Sequence, residues 1–362
     1  MLSKRRVSHP GIYIKEAIEE LGLNQSEFAL RSGLSIKNVS TLISGSSRIT
    51  VDVARKLSAF FGNSVTVWIN LQTAYDVYQC EKAQQEELDE EWKIVKKFDK
   101  DFVEGLLRID IDTKNKEKTV TDLRSRFQVG TLLALKENDL YAFCKTSTKK
   151  DLTETNIILR NAWISLAEQV AKNKKCAEFN KEVIMANLLN LRKLTLEKPE
   201  NFQTQLDAIF AKAGIKLVIL PYLSNSLVNG VTKWIANENC VMIAINDCGR
   251  DADKMWFSLF HELGHAMKNH KRHVTISYSK DNIEDEEEIE ANNFAKDALI
   301  NKNDYEYFVS KKNFSLLAIK KFANSQNVAD FIVIGRLQKD GYIGWNMYTN
   351  LKPKYSILCY IQ

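Results

Sequence analysis

Histidine is scarce in this sequence and concentrated in one short segment. Of five histidines in 362 residues, four fall between residues 261 and 273, namely His261, His265, His270 and His273. The first two enclose Glu262 in a His-Glu-x-x-His pattern. On a helix, side chains four residues apart lie on one face and can share a metal ion. Glu262, placed to accept a proton from water, is the predicted catalytic residue, whereas His270 and His273 are expected at the surface.

A zinc site that acts on a substrate needs three protein ligands and one open position. We predict a Zn2+ ion held by His261, His265 and Glu290. Glu290 stands before Ala291 on a following helix, and a small residue there favours close packing against the histidine helix. The alternative third ligands lie one turn earlier, at Glu286 and Glu287. A further alternative is a pair of helix-surface histidines without a metal.

Hydrophobic periodicity predicts the elements that carry these residues. It indicates a helix over residues 253–269 around the histidines and another over 286–299. Apolar runs predict strands of a small antiparallel sheet, at residues 216–221, 231–234 and 241–245. Helices are also predicted at 81–97, 161–170, 178–196 and 202–213. The expected fold class is therefore mainly α with a small β-sheet, an α+β arrangement.

The first 79 residues show a run of short amphipathic helices. Asn24, Ser35 and Thr50 each precede an apolar stripe and are predicted N-caps. Gly33 is predicted to make the turn between the second and third helices. Two short helices joined by a tight turn form a helix-turn-helix, whose second helix lies in the major groove of DNA.

The exposed positions of this motif carry short hydrogen-bonding groups and a cation, which suit base edges and phosphates. The predicted DNA-binding residues are Gln25, Ser26, Ser35, Lys37, Asn38, Ser40 and Thr41. Arg48 is expected to add a contact to the DNA backbone. The alternative is a five-helix interaction module that binds no nucleic acid.

Composition excludes several classes of protein. Hydrophobic residues make up 44% and charged residues 27% of the sequence, which is typical of a globular chain and not of a disordered one. No run of about 18 apolar residues predicts a membrane span, and the first residues do not read as a secretory signal. Six cysteines without a CxxC pair indicate reduced thiols and a cytoplasmic location.

Both ends of the chain resemble known families. The N-terminal resemblance is to the HigA-type antitoxins of the Xre helix-turn-helix class, and rests on His9-Pro10-Gly11, Leu21 to Ala29, Ile49-Thr50 and Trp68 to Asp76. The C-terminal resemblance is to the ImmA/IrrE zinc metallopeptidases, and rests on Trp256 to His265, Glu290 to Ala295 and the segment from Phe322 to Ile343. The second resemblance spans about residues 200–345.

These resemblances imply domains and a function. The expected domains are a DNA-binding domain at 1–79, a helical connecting region at 80–199, a zincin-like metallopeptidase domain at 200–350 and a tail at 351–362. They imply an antitoxin-like transcriptional regulator that binds operator DNA as a homodimer and neutralises a HigB-type RNase toxin. The alternatives are a site-specific zinc metalloprotease that cleaves a repressor or itself, and a binding protein in which zinc is structural.

Overall fold

The computed structural model describes residues 6–137, 144–146, 152–247, 251–268, 274–278 and 286–355 of the chain. For residues 144–146 and 274–278, Ile276 excepted, the description covers the backbone alone. The contacts divide the chain into two compact units, residues 1–90 and 91–362. His270 and His273 lie outside the described residues.

The first unit is built from five helices. They are α1 (Gly11–Glu20), α2 (Gln25–Ser32), α3 (Ile36–Ile43), α4 (Val51–Phe61) and α5 (Val65–Val95), the last of which continues past the boundary of the unit. The three predicted N-caps are confirmed: side-chain oxygens of Asn24, Ser35 and Thr50 accept backbone N–H groups of the first turns of α2, α3 and α4. Gly33 ends α2 with a φ of 71°, a left-handed conformation that glycine adopts without strain.

Apolar residues from each of these helices meet in one core. Phe28, Leu42, Leu57 and Trp68 are at most 4% exposed. The ring of Phe28 packs edge-on against Phe60 with centroids 4.9 Å apart. Because α3 contributes Leu42 to this core, its opposite face is left at the surface.

The helix α5 differs from the expectation that a separate helix begins at residue 81. It runs unbroken for 31 residues, and residues 79–87 are exposed on every side. A helical stretch that is polar on all sides has no apolar stripe, so hydrophobic periodicity does not predict it as a helix. Its continuity could not be read from the sequence.

The second unit combines nine α-helices of the described residues with a five-stranded sheet. The helices are α6 (Lys116–Phe127), α7 (Glu154–Lys172), α8 (Lys181–Leu194), α9 (Pro199–Lys212), α10 (Ala252–Met267), α11 (Glu286–Leu299), α12 (Lys302–Ser310), α13 (Leu316–Gln326) and α14 (Asp330–Lys339). The strands are β1 (Cys144–Thr146), β2 (Ile215–Leu220), β3 (Val228–Ile235), β4 (Cys240–Asn246) and β5 (Val274–Tyr278). The α+β fold class is confirmed.

The prediction of an antiparallel sheet is confirmed for the pairing of β3 with β4 and wrong for β2, because the sheet is mixed. The strand order is β1-β5-β3-β4-β2, in which β3 runs antiparallel to β4 and β5 while β2 is parallel to β4. Every residue of β4 is buried, as is nearly all of β2. Strands that are covered on both faces show continuous apolar runs, and such runs do not reveal the direction of pairing.

The helix α7 shows that the middle of the chain belongs to the core of the second unit. All residues from Ile158 to Ala167 are buried, and the indole N–H of Trp163 donates to the carbonyl of Pro221, 3.1 Å away, just after β2. A helix buried on all sides needs neighbours on all sides. Among the described residues, no helix is both long and apolar enough to cross a lipid bilayer.

Candidate metal centre and nucleic-acid interface

The helix α10 places the His-Glu-x-x-His residues in the interior of the second unit. Its apolar stripe is buried as predicted, with Trp256, Leu259 and Leu263 at most 1% exposed. His261 is 5% exposed and His265 is fully buried. Polar rings in such a position need partners, because burying an unsatisfied polar group costs free energy.

The neighbouring helix α11 approaches α10 closely. A Cβ atom added to Gly264 would lie 2.9 Å from Cα of Ala291, so the two backbones meet where both side chains are minimal. Ala291 and Ala295 are fully buried in this contact. The predicted packing of small residues between the two helices is present.

Glu288 on α11 is the carboxylate that meets both histidines. Its Oε2 lies 3.2 Å from Nε2 of His261 and its Oε1 lies 3.3 Å from Nε2 of His265. The two Nε2 atoms are 3.2 Å apart. These three residues form a group of buried side chains that could hold a metal ion.

The separations fit zinc. Bonds of about 2.0–2.2 Å in a tetrahedral arrangement require neighbouring donor atoms about 3.3–3.6 Å apart. The two Nε2 atoms are 3.2 Å apart, and each lies 3.2 or 3.3 Å from a different oxygen of Glu288. Nδ1 of His261 lies 3.1 Å from Oδ1 of Asn292. With Nδ1 donating to that oxygen, the lone pair of Nε2 points to the other two donors, as a metal ligand requires.

The charges within the cluster reinforce one another. Burial opposes ionisation of Glu288, but hydrogen bonds and charge interactions with His261 and His265 lower its pKa to about 2. Burial likewise lowers the pKa of His261, but the contacts with Glu288 and the charge of Glu262 raise it above its ordinary value. The cluster therefore keeps a carboxylate ionised in the interior, where only a cation or a proton can balance it.

Glu290, the third ligand predicted from the sequence, is not brought to the histidines. Its side chain is 43% exposed and its Oε2 lies 3.7 Å from Nζ of Lys268. Residues two apart on a helix do not face the same side, so Glu288 and Glu290 cannot share this task. Glu286 is exposed and Glu287 is half-buried, and neither belongs to the group.

The sequence carries a signal for Glu288 in the spacing of its neighbours on α11. Ala291 and Asn292 follow Glu288 by three and four residues, and Ala295 follows Ala291 by four, so the four residues form one stripe of α11. The small residues identify that stripe as the one packed on α10, so the carboxylate on it is the one within reach of the histidines. Glu290 adjoins Ala291 in sequence but lies on another face of the helix, since neighbouring residues on a helix point about 100° apart.

Glu262 is fully buried beside the ligand pair. Its Oε2 accepts a hydrogen bond of 2.6 Å from the hydroxyl of Thr232 on β3. A Cβ atom on Gly230 would lie 2.4 Å from Oε1 of Glu262, so the glycine leaves the space that this carboxylate occupies. The role of Thr232 and Gly230 in holding Glu262 was not predicted from the sequence.

The predicted DNA-binding residues occupy the surface of the first unit. Six of the seven are exposed, namely Gln25, Ser26, Ser35, Lys37, Asn38 and Ser40. Thr41 is half-buried, and its hydroxyl lies 3.0 Å from the carbonyl of Lys37 and accepts from the hydroxyl of Ser47, also at 3.0 Å. Thr41 thus joins α3 to the loop that follows it.

Two further residues near α3 bear on this surface. Ile36, at the first position of α3, is 57% exposed although it is apolar. Arg48 is 75% exposed, and its Nη2 lies 2.5 Å from Oδ2 of Asp76 on α5. An exposed apolar side chain at the start of such a helix suits the methyl group of thymine.

The chain therefore combines a helix-turn-helix with a domain whose buried His-Glu-x-x-His site is of the kind found in zinc metallopeptidases. Residues 14–68 match the family model described as Helix-turn-helix, and residues 212–328 match the model described as IrrE N-terminal-like domain. The HTH-type transcriptional regulator YddM of Escherichia coli is 36% identical over 20% of this chain and 78% of its own length. Antitoxin HigA-1 of Vibrio cholerae is 36% identical over 24% of this chain and 81% of its own length.

The chain belongs to the HigA-type helix-turn-helix family in its N-terminal unit and carries an IrrE N-terminal-like domain behind it. The solved structure of an addiction module antidote protein of a HigA family from Coxiella burnetii is 29% identical, covers 24% of this chain and 95% of that chain, and has a TM-score of 0.23. The two sequence relatives match about a fifth to a quarter of the chain.

Proposed function

We propose that the protein is an antitoxin-like transcriptional regulator that binds operator DNA through α3 and holds a zinc ion in its second unit. The observation that carries the second half of this proposal is the convergence of three buried donors, His261, His265 and Glu288, at the separations that zinc requires. In this proposal Glu288 replaces Glu290 as the third ligand.

The DNA half rests on the surface of α3. Ser35, Lys37, Asn38 and Ser40 project from the side opposite the buried Val39 and Leu42. Their groups can bond to base edges and phosphates, and Ile36 adds an apolar contact. Gln25 and Ser26, at the N-terminus of α2 where backbone N–H groups favour an anion, are proposed to bind a phosphate.

A substitution of Lys37 tests most sharply whether α3 binds DNA. The affinity for a labelled fragment of the promoter of the protein's own gene is measured by fluorescence anisotropy. We expect Lys37→Ala to weaken binding about fivefold or more and to reduce the salt dependence of affinity by one phosphate contact. The matched control is Lys15→Ala, which removes an exposed lysine from α1 and should change affinity by less than about twofold. Equal effects of the two substitutions would refute the assignment of α3.

The proposed antitoxin role requires a partner protein, the toxin. V. cholerae Antitoxin HigA-1 bears the name antitoxin, and this likeness supports a HigB-type RNase toxin as the partner of the first unit. A cytoplasmic homodimer on a two-fold symmetric operator is the matching assembly. Co-expression with the toxin tests it: the Glu262→Gln variant should protect cells as well as the wild type does, because the first unit carries the antidote. Loss of protection in that variant would contradict this role.

A second candidate function, a site-specific zinc metalloprotease, is favoured by the buried Glu262. Zinc held at this centre would supply Lewis acidity that polarises a peptide carbonyl. Glu262 would take a proton from the attacking water at Oε1, the oxygen that faces Gly230, while Thr232 holds Oε2. The carboxyl group would then pass that proton to the leaving amide nitrogen.

The candidate substrates are a repressor protein and this chain itself. Zinc-loaded protein incubated alone or with a repressor should yield a fragment of defined mass, and Glu262→Gln should yield none while retaining its zinc. If no chain is cleaved in any sample, the protease hypothesis is refuted. Zinc would then have a structural role in a regulatory protein.

A further inference from the structure

The second unit has a segment whose charged residues are all cationic. No aspartate or glutamate occurs between Glu306 and Asp330. The lysines of this segment are Lys311, Lys312, Lys320 and Lys321. All four are exposed, and none forms an ion pair with a carboxylate in the part of the chain that the structure describes. Protein surfaces ordinarily intersperse charges of both signs, so an unopposed group of cations favours an anionic partner.

Exposed aromatic rings accompany these lysines. Tyr307 on α12 is 66% exposed, and Nζ of Lys311 lies 4.5 Å from the centre of its ring. Tyr342 and Trp345, in the segment that follows α14, are 46% and 62% exposed. Single exposed apolar side chains are common on proteins, but a group of them in one place indicates a binding surface.

Contacts of Phe314 bring the lysines and the rings together. Phe314 lies in the loop 311–315, which joins α12 to α13. Its ring centre is 5.6 Å from that of Tyr342, and its carbonyl accepts a hydrogen bond of 3.0 Å from the hydroxyl of Tyr348. The loop and the segment after α14 therefore adjoin, and their exposed side chains belong to one region of the surface. We call this region the basic aromatic surface and define it by Tyr307, Lys311, Lys312, Tyr342 and Trp345.

The backbone that carries Trp345 is held from the interior. Gln338 of α14 is 2% exposed, and its Nε2 donates to the carbonyl of Trp345 over 3.3 Å and to the carbonyl of Met347 over 2.8 Å. Its Oε1 accepts a hydrogen bond of 2.8 Å from Nζ of Lys352. A buried amide whose hydrogen bonds are satisfied in this way fixes the turn that it binds. Because the turn is already ordered, a ligand of Trp345 would lose little entropy in ordering it.

Cations beside exposed rings match the chemistry of unpaired nucleotides. Lysines bind phosphates as point charges, and aromatic side chains stack on bases. A duplex offers the phosphates but keeps its bases stacked on one another, and an acidic peptide offers negative charge without flat rings. A single strand is the anionic partner that uses both the lysines and the rings.

We propose that the basic aromatic surface binds single-stranded nucleic acid, with phosphates at Lys311 and Lys312 and with bases stacked on Tyr342 and Trp345. Single strands of DNA and of RNA share this chemistry. The surface includes neither α3 nor the metal centre. It is therefore a site additional to those of the proposed function, and its failure would leave the operator and zinc proposals standing.

Fluorescence anisotropy of the full-length protein with labelled oligo(dT) and oligo(U) of about 20 nucleotides tests this proposal. We expect Trp345→Ala to weaken binding about fivefold or more, and Trp345→Phe, which keeps a ring, to stay within about twofold of the wild type. Lys311→Glu combined with Lys312→Glu should weaken binding about tenfold or more. It should also reduce the salt dependence of affinity by about 0.7 for each lost phosphate contact. The ratio of the two affinities shows whether the surface prefers DNA or RNA.

Matched controls lie elsewhere in the second unit. Tyr222→Ala removes another exposed ring and Lys118→Glu reverses another exposed lysine, and both should bind the oligonucleotides within about twofold of the wild type. Trp345→Ala should bind the promoter duplex as the wild type does. Unchanged oligonucleotide binding by Trp345→Ala would overturn the proposal. So would competition by polyglutamate or by a duplex of equal charge that matches the unlabelled strand, since it would indicate an acidic protein or a duplex as the partner.

Discussion

Exchange of Glu288 for glutamine is the substitution that most sharply separates the structure from the expectation based on sequence. The amide keeps the size of the side chain and removes its negative charge. Glu288 is 3% exposed and contacts both histidines at 3.2 and 3.3 Å. We expect Glu288→Gln to weaken zinc binding at least 100-fold.

The magnitude follows from the position of the carboxylate. Changes to groups that only orient a ligand cost about 10–100-fold in metal affinity, and Glu288 is proposed to bind the metal directly. Contacts with His261 and His265 lower the pKa of this carboxyl group to about 2, which favours the negatively charged form that a zinc ligand needs. Loss of a full charge at a buried site is not compensated by water.

Glu290→Gln is the matched control, since it makes the same chemical change on the same helix. Glu290 is 43% exposed and lies 3.7 Å from the amine of Lys268, and exposed pairs of this kind contribute about 0–1 kcal/mol. We expect its zinc affinity to stay within about threefold of the wild type. Competition titration with a chromophoric chelator measures both variants. If Glu290→Gln weakens binding more than Glu288→Gln does, the reasoning from the structure is refuted.

Three further substitutions test other contacts. Asn292→Ala should lower zinc affinity about tenfold by releasing the ring of His261, as the same titration would show. Gly264→Val should destabilise the second unit by about 3 kcal/mol in urea unfolding, because its Cβ would overlap Ala291 of α11. Leu42→Ala should destabilise the first unit by about 3 kcal/mol, because it leaves a cavity between α3 and the core. It should also weaken DNA binding, since α3 is the proposed DNA-binding helix.

Each of these has a control in the same chain. Asn293→Ala changes an exposed neighbour of Asn292 and should leave zinc affinity unchanged. Gly130→Ala adds a methyl group where no atom lies within 4 Å and should not destabilise the second unit. Leu30→Ala removes an 85% exposed leucine and should leave the stability of the first unit unchanged. A control that matches its test variant would refute the contact concerned.

The helix N-caps and the histidine pair could be predicted from the sequence because they depend on local interactions. Asn24 and Ser35 could be identified as caps because an N-cap is decided by the few residues around it. His261 and His265 could be paired because a four-residue spacing fixes a common face on any helix. In both cases the deciding atoms lie within one turn of each other.

The features that could not be predicted from the sequence depend on contacts between segments far apart in the chain. Glu288 and not Glu290 meets the histidines because of the face of α11 that packs on Gly264. The parallel pairing of β2 with β4 depends on the path that the chain takes between these two strands. Residues far apart in sequence were brought together by packing, which a single sequence does not display.

The central claim is that one zinc ion lies between α10 and α11. Diffraction from crystals of the purified protein, recorded on both sides of the zinc absorption edge, tests it most directly. The account predicts one strong anomalous peak within bonding distance of Nε2 of His261, Nε2 of His265 and a carboxylate oxygen of Glu288. No peak at that position, or a peak bonded to Glu290 in place of Glu288, would contradict it.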